Sequence, residues 1–170
     1  MNDFQQRQSR PPRRPASARG RSERPKSEYD QKVLAIRRVA RVVRGGRRFS
    51  FSIVLAVGNR KGKVGLGVGK GGDVSLAMDK ALRDAKKHLL TVNLTKESSL
   101  PHEVEAKHAS SRIVMRPARG AGVAAGSAAR VILNLAGIRD VSAKFVRRSK
   151  NKLNNARATM LALASLSPAR

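Results

Sequence analysis

The sequence predicts an α+β chain of two small α/β units. The first is a three-stranded antiparallel sheet with one helix, the second a small α/β sandwich. Three observations predict this. Phe49, Phe51, Ile53, Leu55 and Val57 alternate with Arg48, Ser50, Ser52, Val54 and Ala56, the period of a strand, between glycine-rich turns. A helical apolar stripe of Val74, Ala77, Met78, Ala81, Leu82, Ala85 and Leu89 follows. Beyond Pro101 a second succession of strand, helix, strand and helix begins. The expected organisation is a disordered basic arm over 1–27, a first unit over 28–95 and a second over 96–170.

The arm holds four of the seven prolines and eight Lys or Arg against Asp3 and Glu23, with almost no apolar residue to bury. In 31–43, Val33, Ile36, Val39, Ala40 and Val43 suit a strand or one face of a basic amphipathic helix. The strand is preferred because β-branched residues dominate and the Gly45-Gly46 hairpin signal follows at once. Phe49 and Phe51 are expected in the core of the second strand. Gly58-Asn59 and Lys61-Gly62 mark a turn, and 63–69 returns as the third strand. Asp73 suits a helix N-cap, and Lys86 and Lys87 suit the negative end of the helix dipole. Residues 91–101 read as a linker. The SRIVMR stretch reads as a strand stopped by Pro117, and Gly120, Gly122 and Gly126 as a flexible, close-approach loop. Ala128, Val131, Ile132 and Leu135 predict a helix ended by Gly137. Residues 141–146 give a short strand. Ser149 or Asn151 caps a last helix carrying Leu153, Ala156, Met160, Leu163 and Ala164.

Charge sets the partner class. The chain has 37 Lys and Arg against 11 Asp and Glu, a net charge of +26 and a pI near 11.9. Nucleic acid is the first expectation and an anionic membrane surface the second. Between Asp30 and Asp73 there are eleven basic residues and no acid. From Ala106 onward there are 13 basic residues and one acid, Asp140. No cysteine is present, which removes disulfides and thiolate metal sites and fits a reducing compartment. No apolar run approaches the ~20 residues of a membrane span. The start lacks the apolar core of a secretory signal, and Pro11, Pro12 and Pro15 would break a transit-peptide helix.

Motifs for catalysis fail on spacing. Gly67, Gly69 and Gly72 fit G-x-G-x-x-G between strand and helix, with Glu97 near the distance of a ribose-binding acid. The strands before them are hairpin-connected and the strand itself is glycine-broken, whereas a dinucleotide fold needs an apolar parallel strand. Gly71 stands where a P-loop needs Ser or Thr. His102 and His108 are six apart, not the four of a zinc-protease helix. Gly126-Ser127 lacks the second glycine of a nucleophile elbow. No catalytic residue, metal or cofactor is expected. Aromatic content is 3%, so base stacking is a minor mode. What remains is contact by Arg, Lys and glycine N–H with phosphate and 2′-OH groups of structured RNA. The candidate residues are Arg37, Arg38, Arg41, Arg44, Gly45, Gly46, Arg47, Arg48, Arg60, Lys61, Lys63, Lys70, Arg112, Arg116 and Arg119.

Longer matches sharpen this reading. VRGGRRFSF, VGNRKGKVGLGVGK and DVSLAMDKALRDAKKHL, then HASSRIVMRPARGAGVAAGSAARVILNLAGIRDVSAK and RAT in the last helix, resemble the bacterial-type small-subunit ribosomal protein S-five family over roughly residues 30–166. The resemblance implies a first half like a double-stranded-RNA-binding domain and a C-terminal α/β half. It implies binding to small-subunit ribosomal RNA, contact with the neighbouring proteins S-four and S-eight, and roles in assembly and decoding accuracy. It also implies mRNA near the side where it enters, with no membrane partner. The location implied is a cytoplasmic ribosome, and an organellar ribosome fits the same residues. The family's spectinomycin-linked loop maps onto Val42, Val43, Arg44, Gly45, Gly46, Arg47 and Arg48. Two departures stand out: the long basic arm, and Arg147-Arg148-Ser149-Lys150, more basic than the family's Gly/Ser-containing stretch. The competing readings are a free RNA-binding regulator or RNA chaperone, and a nucleotide-dependent enzyme using residues 65–72.

Overall fold

The β-branched run ahead of the glycine pair is a strand. In the computed structural model, which describes residues 28–95 and 97–167, β1 (Asp30–Val43) pairs antiparallel with β2 (Gly46–Gly58) from Asp30 opposite Gly58 to Val43 opposite Gly46. The expected arm, 1–27, lies outside the described residues. The turn residues are Arg44 and Gly45, one position earlier than expected, and Gly46 opens β2 at φ +131°. The register shifts between Val33 and Ala35, and Leu34 there is buried in a core shared with the second unit. β3 (Lys63–Gly71) pairs with β2, and α1 (Val74–Lys87) follows. A fourth strand, β4 (Leu89–Thr91), then pairs with β3 and gives the order β1-β2-β3-β4. Periodicity predicts only three strands and assigns Leu89 to the helix. The helix stops at Lys87, which frees Leu89 and Leu90 to pair along the sheet.

Glycine explains how α1 sits on the sheet. Gly65, Gly67 and Gly69 lie beneath Ala77, Ala81 and Ala85, all fully buried. A Cβ on Gly67 would strike the Ala81 carbonyl oxygen and the Ala85 nitrogen, and one on Gly69 the Ala77 carbonyl oxygen. Ile53, Leu55 and Val57 complete this layer at 0–1% exposure, each contributing about 1.5–3 kcal/mol by burial. Gly67 and Gly69 of the G-x-G-x-x-G run are therefore a helix-to-sheet contact, whereas a Cβ on Gly72 would meet nothing within 4 Å. Asp73 holds the N-cap position but makes no side-chain cap bond; its main-chain carbonyl accepts from Ala77 N at 3.0 Å. Asp84 in α1 instead accepts from Val68 N at 2.9 Å, engaging a β3 donor beyond the reach of β4.

The other face of the sheet is also buried, but only at its base. Val54, Ala56 and Val64 share one core cluster with Ile132, Leu133, Ile138 and Leu163 of the second unit. Towards the tip, where neither α1 nor the second unit reaches, β2 turns polar. Phe49, expected in the core, is 49% exposed for this reason, and the Arg38 guanidinium lies 4.6 Å from its ring centroid. Phe51 is half-buried against the α1 layer.

The second unit begins as a hairpin. β5 (Val104–His108) and β6 (Ser111–Pro117) pair around Ala109 at φ +52°, so the expected strand is the hairpin's second arm and Pro117 is its last residue. β7 (Val123–Ala124) runs parallel to β8 (Val141–Phe145), giving the order β5-β6-β8-β7. Ile113, Met115 and Val141 are buried beneath α2 (Ser127–Ala136) and α3 (Lys152–Ala164), while Arg112, Arg116 and Lys144 face out. The stretch expected as a linker is tied down: Val92 and Leu100 are buried, and the Ser99 hydroxyl donates to the Asp140 carbonyl at 2.8 Å. Gly137 ends α2 in the left-handed region at φ +87°. There the β2–β3 turn docks. Arg60 N donates to the Leu135 carbonyl and Gly62 N to the Ala136 carbonyl, both at 2.9 Å. Two of the carbonyls that a helix leaves open at its C-terminus are thus satisfied by the first unit.

Candidate nucleic-acid interface

Register sorts the hairpin's cations onto two faces, because directly opposed residues of an antiparallel pair point the same way. Arg41 is opposite Arg48, and Arg37 is opposite Ser52, itself opposite Lys70. These four cations, with Val39 and Ser50, continue the face that the second unit buries at its base. Arg38, opposite Phe51, and Arg47, opposite Val42, lie on the α1 face, beyond the end of the helix. Between Arg37 and Phe49 every residue is exposed except Val43, which is half-buried. Ile36, Val42 and Phe49 are among the large apolar side chains left open, at 53, 75 and 49%.

The tip combines freedom with charge. A Cβ added to Gly45 or Gly46 would meet nothing within 4 Å, so the turn is sterically open to a partner. Arg44, Arg47, Arg41 and Arg48 have no ion pair among the described residues. Arg37 likewise has no ion pair among the described residues, but its Nη2 donates to the neutral Asn151 Oδ1 at 3.3 Å, joining the hairpin to the loop before α3.

The acid-free span divides in space. Arg60 and Lys61 belong to the β2–β3 turn and Lys63 opens β3, at the opposite end of β2 from Arg47 and Arg48. Thirteen residues of strand separate the ends by about 40 Å at ~3.3 Å per residue. Asn59 shapes this turn, its Oδ1 accepting from Lys61 N at 2.8 Å and Lys63 N at 3.0 Å. Arg60, at φ +55°, pairs with Asp30 at 2.8 Å.

The candidate arginines of the second unit meet carboxylates. Arg112 pairs with Glu105, Arg116 with Glu103 at 2.8 Å and Arg119 with Glu97 at 3.4 Å. The Arg112 hydrogen bond holds the Glu105 carboxyl below the ordinary carboxylate range, and the same bond raises Arg112. On this outer sheet face Arg112 and Arg116 are offset by carboxylates while Lys107 and Lys144 are not, whereas the hairpin face carries no acid at all. The sequence places all fifteen candidates in one class because pairing across strands is invisible to a count of charges. Residues 147–152 are not among those candidates, and their alternation of cations with Ser149 and Asn151 is the signal that could have found them. Among the described residues no group of three or more His, Cys, Asp or Glu could hold a metal, and no helix is long and apolar enough to cross a membrane.

The chain is similar to known proteins over most of its length. Residues 29–93 match the family described as Ribosomal protein S5, N-terminal domain, and residues 106–170 match Ribosomal protein S5, C-terminal domain. The chain is 46% identical over 142 residues to the Small ribosomal subunit protein uS5c of Cyanophora paradoxa, covering 83% of each chain. It is 45% identical to the Small ribosomal subunit protein uS5 of Nostoc punctiforme, covering 86% of this chain and 83% of the relative. It is 49% identical to that of Acaryochloris marina, covering 82% and 79%.

Proposed function

The chain belongs to the ribosomal protein S5 family, and on that premise we propose that it binds small-subunit ribosomal RNA chiefly through the β1–β2 hairpin. As a member of that family it is a structural component of the small ribosomal subunit. The observation that carries the RNA reading is the hairpin face bearing Arg37, Arg41, Arg48 and Lys70, with no acid from residue 31 to 72. Phosphate neutralises such a face, which otherwise repels itself. Arg44, Gly45, Gly46 and Arg47 are the functional tip, with Val42 and Val43 completing the spectinomycin-linked loop. Arg60, Lys61 and Lys63 give a second contact at the far end of the sheet. Arg112, Arg116 and Arg119 give a third, weakened by their carboxylate partners.

Residues 28–95 act as the main RNA-facing domain and 96–170 as its support, with the arm 1–27 as an additional RNA contact. S-four and S-eight are the protein neighbours, and mRNA passes near the side where it enters. The protein works in assembly and decoding accuracy without catalysis. The test is the salt dependence of binding by the isolated chain to small-subunit ribosomal RNA. With ~8–10 phosphates engaged, log K falls against log salt with a slope of about −6 to −9. A slope shallower than about −3 overturns the proposal. Co-sedimentation with small subunits in high salt separates a resident component from a free regulator or chaperone.

A further inference from the structure

We infer that residues 147–152 form a second wall of the hairpin's phosphate site, so that an RNA sugar-phosphate backbone is held between this loop and Arg37, Arg41 and Arg48. The inference rests on the RNA-binding reading above and assigns a role to cations that reading leaves unused.

The first support is where the loop stands. Arg37 of β1 donates to Asn151 Oδ1 at 3.3 Å, and the same oxygen accepts from Leu153 N at 3.2 Å as the N-cap of α3. One side chain thus joins the basic face of the hairpin to the start of α3. Arg41 and Arg48 continue that face towards the tip.

The second support is rigidity. Four cations in six residues repel one another and would spread apart in a free loop. Here the backbone is held from beneath. The Ser149 carbonyl accepts from Asn155 Nδ2 at 2.9 Å, and the Ser149 hydroxyl accepts from Asn151 N at 3.3 Å. Asn155 is 8% exposed, and its Oδ1 accepts from the fully buried Ser111 hydroxyl at 2.6 Å. Val146 N, just before the loop, donates to the Arg112 carbonyl at 2.9 Å. Ser149 and Asn151 are half-buried, whereas Arg147, Arg148, Lys150 and Lys152 are exposed. The neutral polar residues anchor the loop and the cations are displayed.

The third support is charge. Arg147, Arg148, Lys150 and Lys152 have no ion pair among the described residues, and neither do Arg41 and Arg48. No acid occurs in residues 31–72 or after Asp140. A carboxylate-bearing protein partner would also answer these charges. RNA backbone is favoured because the loop's cations adjoin the hairpin's row at the Arg37–Asn151 bond and extend a one-signed series, as a repeating phosphate chain requires. Contact of this kind is independent of base sequence and falls with salt.

The experiment uses the full chain with Arg147→Gln, Arg148→Gln and Lys150→Gln combined, keeping Ser149, Asn151 and Asn155. Binding to a small-subunit ribosomal RNA transcript is measured over a range of KCl, beside wild type and thermal melting. The expected result is a steep wild-type slope that becomes shallower by about 2–3 in the variant, roughly one per cation removed, with an unchanged melting temperature. Replacement of the two arginines by lysine restores most of the slope. A steep wild-type slope that the variant leaves unchanged overturns this inference while the RNA-binding function stands. A shallow wild-type slope overturns the function itself. An unchanged RNA slope with loss of a neighbouring protein from reconstituted particles assigns the loop to protein contact and also overturns the inference. A lowered melting temperature with an unchanged slope assigns it to folding, with the same consequence.

Discussion

Arg41 and Arg48 are direct cross-strand partners on one face of the hairpin, with no carboxylate between them. Like charges so placed destabilise a strand pair, by roughly 0.2–1 kcal/mol. Arg41→Gln is therefore expected to leave the melting temperature of the isolated protein unchanged or slightly raised. The same substitution should weaken RNA binding and make the salt slope shallower by about one. Melting and filter binding on one preparation check both directions. A lowered melting temperature with wild-type binding would reverse the assignment of this face.

Gly69 tests packing against α1. A Cβ added there would meet helix backbone, which cannot rotate away as a side chain can. Gly69→Val should cost about 3 kcal/mol or more, at the upper end of overpacking effects. In a chain of this size that lowers the melting temperature by roughly 6–12 °C. Subunit incorporation should fall with it, and added dinucleotide should not alter the melt.

The two tip glycines should behave differently. Gly46 sits at φ +131° and Gly45 outside the positive-φ region, both in open space. Gly46→Ala should cost about 1 kcal/mol or more in backbone strain, and Gly45→Ala a few tenths. Arg47→Glu should leave melting within about 2 °C, because exposed substitutions cost under ~0.5 kcal/mol. Its incorporation into small subunits and the spectinomycin response of cells carrying it should both change. Wild-type values for both would remove Arg47 from the site.

Asn155 links three segments through Ser111, Ser149 and its own helix, where its carbonyl accepts from the Thr159 hydroxyl at 2.9 Å. Asn155→Ala strands the buried Ser111 hydroxyl and frees the Ser149 carbonyl. The expected cost is about 1–3 kcal/mol. Amide exchange should quicken around residues 147–151 more than in the first sheet.

Glu105 gives a pH reading. Its folded-state pKa is depressed, chiefly by the Arg112 hydrogen bond, so its contribution is present above the ordinary carboxylate value and is lost as pH falls through the depressed one. In Arg112→Gln the Glu105 carboxyl should titrate higher, followed by NMR, and melting should depend less on pH in the acid range. An unchanged titration would mean that the pair is not formed in solution.

Much of this fold is written in periodicity. Residues 49–57 alternate because a strand buries alternate side chains, and α1 and α2 carry their stripes for the matching reason; α3 departs from its expected stripe, burying Asn155 and Thr159 while Leu161 and Ala164 are exposed. β4 is not legible because three residues are too few for any period, and the helical stripe runs on into Leu89. The shared core is half legible: Val54 and Ala56 fall on the polar phase of β2, and two apolar phases in one strand mean burial on both sides. Phe49 misleads because its phase is that of Ile53, while the depth of α1 along the strand is set by tertiary structure. At the site, the hairpin cations are visible as an acid-free run. The separation of Arg60 and Lys61 from Arg47 needs strand length, and the pairing of Arg112 with Glu105 needs register.

The docking of the β2–β3 turn on the end of α2 bears on the order in which this chain can fold as it is made. Gly58, Arg60 and Gly62 meet partners at Leu135, Ala136 and Gly137, more than seventy residues later in synthesis. Until those residues emerge, the first sheet has one covered face and one bare face carrying Val54, Ala56 and Val64. A nascent chain paused near residue 95 is therefore a sheet awaiting its second cover, exposed to mispairing and to chaperones. Completion of the N-terminal half is timed by the appearance of the C-terminal half.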